Sequence, residues 1–176
     1  FVENHKICTT GRGKKQRKRF EAYLRSLLEN EPTNNINESY LEQPCDRFNA
    51  LYFLQHCHRH FLREGITLRY ICDWAMILQS ADCFDSEFWN ECDKNDLTPF
   101  AESMTRLAYV VCGVKAPWMN GDVMLQIQDK MLLDDCYRIA DNAIKYGNSL
   151  KAHVQMVKNM VGMRWKYKYF SQRSME

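Results

Sequence analysis

The sequence has little glycine and little proline, the two residues that most favour tight turns. Glycine occurs 7 times and proline 4 times in 176 residues, below the usual shares of about 7% and about 5%. Long apolar runs are also missing: uninterrupted apolar stretches extend over only a few residues, whereas a membrane-spanning helix needs about 20. The composition therefore favours a helical protein and predicts no membrane association.

Neither an excess charge nor a cysteine motif is present. The chain has 24 basic and 22 acidic side chains, a net charge of +2, so bulk charge indicates no particular partner. The 8 cysteines are scattered, with no Cys-x-x-Cys motif, and several lie in apolar helical runs. Because a disulfide scaffold would be shorter and richer in cysteine, we expect reduced, mostly buried thiols in a cytoplasmic protein with no signal peptide.

Apolar residues recur with helical spacing along most of the chain. Asp46 and Thr98 are predicted to cap helices at their N-termini, whereas Gly65 and Gly113 are predicted to end them. The predicted helices cover about residues 14–30, 46–64, 66–79, a short segment after Asp85, 98–112, 122–146 with a break near Asp134, and 149–163. We therefore expect a mainly α fold, a bundle of six or seven helices.

A short strand is expected at the start of the chain, over residues 1–8, Phe-Val-Glu-Asn-His-Lys-Ile-Cys. No other segment before residue 164 is a convincing partner, and a strand is not stable alone. The predicted organisation is a strand in residues 1–10, a basic helix and polar loop in 11–45, the helical bundle in 46–163, and a basic-aromatic arm in 164–176. The arm alternates Lys with aromatic residues, which predicts a strand or an extended segment.

Three histidines lie close together in the second predicted helix. His56 and His60 have the i, i+4 spacing that lets two imidazoles bind one metal, but Cys57 stands where the glutamate of a zinc-protease motif would be. No evident third ligand follows, so a metal site is the minority interpretation. His58 lies among apolar residues, and we expect it to be a hydrogen-bonded histidine of the core.

Arg69 and Asp73 are the only charged residues of the helix predicted at 66–79, which we therefore expect to be largely buried. In a buried setting, leaving either residue unpaired would be costly. Because the order Arg before Asp is the less favourable one for a local helix pair, two interpretations stay open. The pair either closes the bundle as a structural ion pair, or it faces a cleft and orders a histidine or a bound phosphate.

Two basic segments favour an alternative, nucleic-acid-binding function. The first is the start of the first helix, where residues 12–19 carry six positive charges; its candidate contacts are Lys14, Lys15, Arg17 and Lys18. The second is the arm, in which Arg164 and Lys166 lie beside aromatic rings that could stack on bases. The commoner meanings of such segments are a solvated helix start and an amphipathic edge.

Residues 50–78 resemble a signature of the uncharacterised nucleotidyltransferase family of bacteria. That signature is a helix with a His-x-x-x-His-Phe element, a short glycine turn and a Leu-Arg-x-x-x-Asp helix. The matching residues here are His56, His60, Phe61, Gly65, Leu68, Arg69 and Asp73. The opening Val2-Glu3-Asn4-His5 is similar to the family's Val-Glu-x-His strand, the last strand of its catalytic sheet.

The resemblance implies a polymerase-β-like nucleotidyltransferase, which binds an NTP with Mg²⁺ on carboxylates and transfers a nucleoside monophosphate to an acceptor. It implies that Glu3 completes the metal site, that His5 lies on the same strand face, and that His56, His60, Arg69 and Asp73 help to bind the nucleotide. The fold's fingerprint, Gly-Ser followed by Asp-x-Asp, is missing from this sequence, and Asp134-Asp135 is no substitute. We therefore expect the catalytic aspartates upstream of Phe1 and no activity from this chain alone.

Overall fold

The computed structural model describes residues 13–31, 34–35, 42–143, 162 and 164–170. In that part of the chain seven helices and one two-stranded antiparallel pair are present. The elements are α1 (Lys14–Asn30), β1 (Asn34–Asn35), β2 (Glu42–Gln43), α2 (Asp46–Arg63), α3 (Leu68–Ser80), α4 (Ser86–Lys94), α5 (Thr98–Cys112), α6 (Ile127–Ala143) and α7 (Arg164–Phe170). The mainly α prediction is confirmed. The predicted strand at residues 1–8 lies outside the described residues, as does the helix predicted at 149–163 apart from residue 162.

The helix ends predicted at Gly65 and Gly113 are confirmed, and the starts predicted from Asp46 and Thr98 are one residue out. Gly65 and Gly113 follow α2 and α5 with φ angles of 93° and 72°, a left-handed conformation that favours glycine. Asp46 and Thr98, predicted as caps, are instead the first residues of their helices. The Asp46 carboxylate accepts a hydrogen bond from the backbone N–H of Asp82 at 3.2 Å, so it links two parts of the fold.

Helix α5 is at the centre of the bundle and packs against α2, α3, α4, α6 and α7. Its buried apolar side chains include Phe100, Met104 and Leu107. The same hydrophobic core includes Phe20 and Leu24 of α1. Burial of each large apolar side chain contributes about 1.5–3 kcal/mol, so this core is the main source of stability. No helix in the described residues is both long and apolar enough to cross a membrane.

The prediction of a strand or extended arm at residues 164–170 is wrong, because this segment is helix α7. Lys166 and Phe170 are four residues apart and both fully buried. The Phe170 ring centroid lies 5.1 Å from that of Phe61 and 6.0 Å from that of Phe100. In a helix, residues four apart in this alternating sequence, such as Lys166 and Phe170, lie on the same face. The buried contacts of Phe170 favour this helix over a strand.

The prediction that α3 is largely buried is also wrong. Ile71, Trp74, Ala75 and Leu78 are buried against the core, whereas Arg69, Cys72 and Met76 are exposed. The low number of charged residues in α3 was therefore a poor indicator of burial, because uncharged cysteine and methionine residues are on its solvent-exposed face. Helix α6 starts at Ile127 and continues through Asp134 without the predicted break.

Candidate functional site

The candidate site is the surface formed by α2 and α3 on either side of the Gly65 turn, which we call the α2–α3 face. Helical spacing of four residues places Tyr52, His56 and His60 in one row along α2. Helix α3 lies beside this row: its Tyr70 stacks against His60, and Arg69 and Asp73 are on the same helix. The side chains of this face are half-buried or exposed.

The rings of the α2–α3 face form a continuous row. The His56 and His60 ring centroids are 4.5 Å apart at an interplanar angle of 57°. Tyr52 stacks at 6.1 Å from His56, and Tyr70 stacks at 6.3 Å from His60. Such a row presents flat, polarizable surfaces of the kind on which nucleic-acid bases stack.

His60 has one partnered and one unpartnered ring nitrogen. Its Nδ1 is hydrogen-bonded to the carboxylate of Glu64, one helical turn further along the chain. Its Nε2 is buried and has no hydrogen-bond partner among the described residues. A carboxylate at Nδ1 favours the tautomer with the proton there, which leaves Nε2 as an acceptor. An unsatisfied buried polar atom costs about 1–3 kcal/mol, and a ligand can reach this nitrogen only if the surrounding side chains move apart.

Arg69 is exposed and Asp73 is half-buried, contrary to the prediction that both lie in a largely buried helix. Arg69 Nε lies 3.6 Å from Asp73 Oδ2, and the two side chains are 85% and 46% exposed. An exposed i, i+4 pair of this kind is worth about 0.3–0.5 kcal/mol. The pair therefore does not close the bundle, and the Arg69 guanidinium can reach an anion in solution.

Asp73 also lies close to α2. Burial raises the pKa of the Cys57 thiol, and the negative charge of Asp73 raises it further. Asp73 is therefore near enough to α2 for its charge to act across the helix interface. Cys57 itself is buried and remains protonated.

The described residues do not fit a magnesium or zinc centre. Among them, no group of three or more His, Cys, Asp or Glu side chains is arranged to hold a metal ion. His56 and His60 are adjacent but lack a third ligand within this part of the chain. Glu3 and His5, the residues for which the resemblance implies a catalytic or metal-binding role, lie outside the described residues.

His58 belongs to the core, as predicted, and not to the α2–α3 face. Its Nε2 lies 2.9 Å from the carbonyl oxygen of Phe170, to which it donates when the ring is neutral. Burial lowers the pKa of His58 to about 4. The ring is therefore neutral at physiological pH, and its role is structural.

The basic residues of α1 and α7 differ in their exposure to solvent. Lys14, Lys15 and Lys18 are exposed, and Arg17 is half-buried. Arg19 pairs with the buried carboxylate of Glu91 at 3.0 Å and is structural. Arg164 is exposed at the start of α7.

Lys166 is fully buried and forms an ion pair with Asp135. It is therefore not accessible to a phosphate group. This burial removes one of the two predicted nucleic-acid contacts in the C-terminal segment, because a contact of that kind needs an exposed cation.

Sequence reasoning missed Glu64, Tyr52 and Tyr70 as parts of this site. Spacing was the available signal: Glu64 is four residues after His60, and Tyr52 is four residues before His56. The position of Tyr70 depends on how α3 packs beside α2, which the spacing within one helix does not reveal.

Comparison with known families gives a match over the first two thirds of the chain. The model of a family described as "Uncharacterised nucleotidyltransferase" matches residues 1–113. This range includes α1 to α5 and the whole of the α2–α3 face. Neither the curated proteins nor the solved structures gave a match to this chain.

Proposed function

The chain belongs to the uncharacterised nucleotidyltransferase family, and on this premise we propose that it is the helical part of an enzyme that transfers a nucleoside monophosphate. In this reaction a nucleophilic group of the acceptor attacks the α-phosphorus of an NTP, the bond to the β-phosphate oxygen breaks, and pyrophosphate leaves. The proposed role of this chain is to bind the nucleotide through the α2–α3 face.

The observation that carries the proposal is the buried, unpartnered Nε2 of His60. Glu64 holds the ring from the other side, so Nε2 is left as an acceptor, and we propose that a ribose hydroxyl or a base amino group reaches it when the surrounding side chains move apart. An imidazole fixed in this way discriminates between ligands by hydrogen bonding, because a ligand without the donor leaves the nitrogen unpaired.

Other residues of α2 and α3 are proposed to supply the remaining contacts that a nucleotide needs. The Arg69 guanidinium is exposed and is suited to pair with two phosphate oxygens. Asp73 forms a weak pair with Arg69 at 3.6 Å, and the rings of His56 and Tyr70 offer stacking surfaces for the base.

Chemistry beyond binding depends on residues that this sequence does not contain. Gly-Ser followed by Asp-x-Asp is absent, and Asp135 is buried in its pair with Lys166. We propose that a separate catalytic core supplies these carboxylates together with the Mg²⁺ site, to which Glu3 would add a carboxylate and beside which His5 would lie. The chain alone is then expected to bind an NTP without turning it over.

Calorimetric titration with ATP or GTP, together with a pyrophosphate-release assay, tests this proposal. We expect binding without turnover by the wild-type chain, and about tenfold weaker binding, about 1.4 kcal/mol, in His60→Ala and Arg69→Ala. Arg25→Ala is the matched control, since Arg25 forms an exposed i, i+4 pair with Glu21 on α1. Turnover by the chain alone, or equal affinity in all variants, would contradict the proposal.

A second candidate function, nucleic-acid binding, is supported by the start of α1. Lys14, Lys15 and Lys18 are exposed and form no ion pair with the described residues. Binding through three lysines predicts that the affinity for single-stranded RNA falls with salt at a log–log slope of about −2. Reversing these three charges would abolish the binding, whereas binding that survives the reversal would exclude α1 as the contact.

A further inference from the structure

Two exposed cysteines lie in contact on neighbouring helices. Cys72 is on α3, and Cys112 is the last residue of α5. The two sulfur atoms are 3.8 Å apart, with the Cys112 thiol donating to the Cys72 sulfur. Both side chains are exposed, which distinguishes them from the buried thiols of Cys57, Cys83, Cys92 and Cys136.

The contact between α3 and α5 is held in register by the core. The Trp74 indole N–H, two residues from Cys72, donates to Thr105 Oγ1 at 3.0 Å. Trp74 is fully buried, so this bond fixes the two helices relative to each other about two turns of α5 before Cys112. A disulfide bond of about 2.05 Å would need the sulfurs to approach by only about 1.8 Å from their separation of 3.8 Å.

The two thiols are hydrogen-bonded to each other, so each is placed to react with the oxidised form of the other. Partial burial and the hydrogen bond to Cys72 raise the pKa of the Cys112 thiol. Whichever sulfur is oxidised first, the other lies 3.8 Å away and can attack it to complete a disulfide.

We propose that Cys72 and Cys112 form a reversible intramolecular disulfide when the protein meets a peroxide. The thiolate of one cysteine attacks one oxygen of hydrogen peroxide, which breaks the O–O bond and gives a sulfenic acid and hydroxide, and the hydroxide takes up the proton that this thiol has lost. The sulfur of the other cysteine then attacks the sulfenic sulfur, and the departing hydroxyl leaves as water with the proton of the second thiol. Two thiols and one peroxide give one disulfide and two waters, and a dithiol reductant reverses the oxidation.

The disulfide would connect residues 40 positions apart in sequence. A cross-link of this loop restricts the unfolded chain and so stabilises the fold in the oxidised state. The bond would hold the exposed face of α3 against the end of α5. This inference depends on the thiol geometry alone and stands independently of the proposed function.

Peptide mapping after mild oxidation tests the inference. The full chain is treated with hydrogen peroxide, its remaining thiols are blocked with N-ethylmaleimide, and it is digested with trypsin without reduction. We expect peptide 107–115, which contains Cys112, linked to peptide 70–94 with a loss of about 2 Da. Fragment ions must assign the bond to Cys72, because peptide 70–94 also contains Cys83 and Cys92.

Serine variants provide the controls. Cys72→Ser and Cys112→Ser should each abolish the linked peptide and the rise in Tm on oxidation, whereas Cys45→Ser, at a half-buried thiol, should retain both. Dithiothreitol should return the wild-type protein to the starting Tm. The inference is overturned if the Cys72 and Cys112 thiols oxidise without linking, or if Cys72 is found bonded to Cys8 or to a second chain.

Discussion

Lys166 and Asp135 form an ion pair in the interior of the bundle, joining α7 to α6 across 31 residues of sequence. Both side chains are almost fully excluded from solvent. Lys166 also donates to the carbonyl oxygen of Phe61 at 2.8 Å and lies 4.4 Å from the centroid of the Phe61 ring. Burial lowers the pKa of Lys166, and Asp135 opposes this effect. The C-terminal helix is therefore held by a charge pair as well as by apolar packing.

Removing one member of this pair should destabilise the protein strongly. We expect Lys166→Met to lower the free energy of unfolding by about 3–5 kcal/mol, because Asp135 is left buried with a weaker set of partners. Urea unfolding measures the loss. Combining Lys166→Met with Asp135→Leu should recover part of it, and Lys168→Met, at an exposed position of the same helix, should have almost no effect. If the double variant lost as much free energy of unfolding as the two single variants added together, this account would be wrong.

The free energy of unfolding should fall as the pH is lowered through the range in which His58 is protonated in the unfolded chain but neutral in the folded protein. The pKa of His58 is about 4 in the folded protein, against 6.5 for an ordinary histidine. Below about pH 6.5 the unfolded chain takes up a proton that the folded protein does not, so unfolding becomes more favourable until about pH 4. The total effect is about 3 kcal/mol.

Urea unfolding at a series of pH values, in wild type and His58→Gln, checks the pH prediction. The glutamine variant keeps a hydrogen-bond donor for the Phe170 carbonyl but has no titrating ring, so its stability should depend less on pH. His60→Gln, at a more exposed histidine of the same helix, is the control. Equal pH dependence in wild type and His58→Gln would show that another group is responsible.

Glu64 is expected to act as a positioning residue for His60. Glu64→Gln removes the carboxylate that favours the proton on Nδ1, and we expect ATP binding to weaken by about tenfold, about 1.4 kcal/mol. The ¹⁵N chemical shifts of the His60 imidazole would report the change of tautomer, which a purely structural role would not produce. Glu102→Gln, which removes an exposed carboxylate from α5, should leave both measurements unchanged.

Substitution of Arg19 and of the adjacent Lys18 should have different effects, because Arg19 has a structural role and Lys18 is at the surface of α1. Arg19 binds the buried carboxylate of Glu91 and the side-chain oxygen of Asn95, so Arg19→Ala should cost about 1–2 kcal/mol of stability. Lys18 is exposed, and Lys18→Ala should be neutral for stability while weakening any nucleic-acid binding. Thermal unfolding and an RNA titration on both variants would show this opposite pattern. Equal effects of the two substitutions on stability would refute the separation.

Sequence patterns correctly predicted the features that depend on interactions between residues close together in the sequence. Asp85, whose carboxylate accepts from the Phe88 N–H at 3.0 Å, and the glycines at 65 and 113 mark helix ends through contacts within a few residues. The histidine assigned to the core was also recognisable, because His58 lies among apolar residues of its own helix.

The predictions that failed depended on long-range packing. The alternating residues of α7 fit a strand as well as a helix until Phe170 meets Phe61 and Phe100. The burial of Lys166 depends on Asp135 of another helix, and the exposure of Arg69 depends on which side of α3 faces α5. Spacing along one segment carries no information on such contacts.

The position of Phe170 has a practical consequence for anyone who shortens this protein. The family match ends at residue 113, yet the Phe170 ring lies between residues of α2 and α5 that precede that point. A fragment trimmed to the matched range would leave the Phe61 and Phe100 rings uncovered and the His58 imidazole without its acceptor. Such a fragment would be prone to aggregate, whereas one that retains the segment through Phe170 keeps the interior closed.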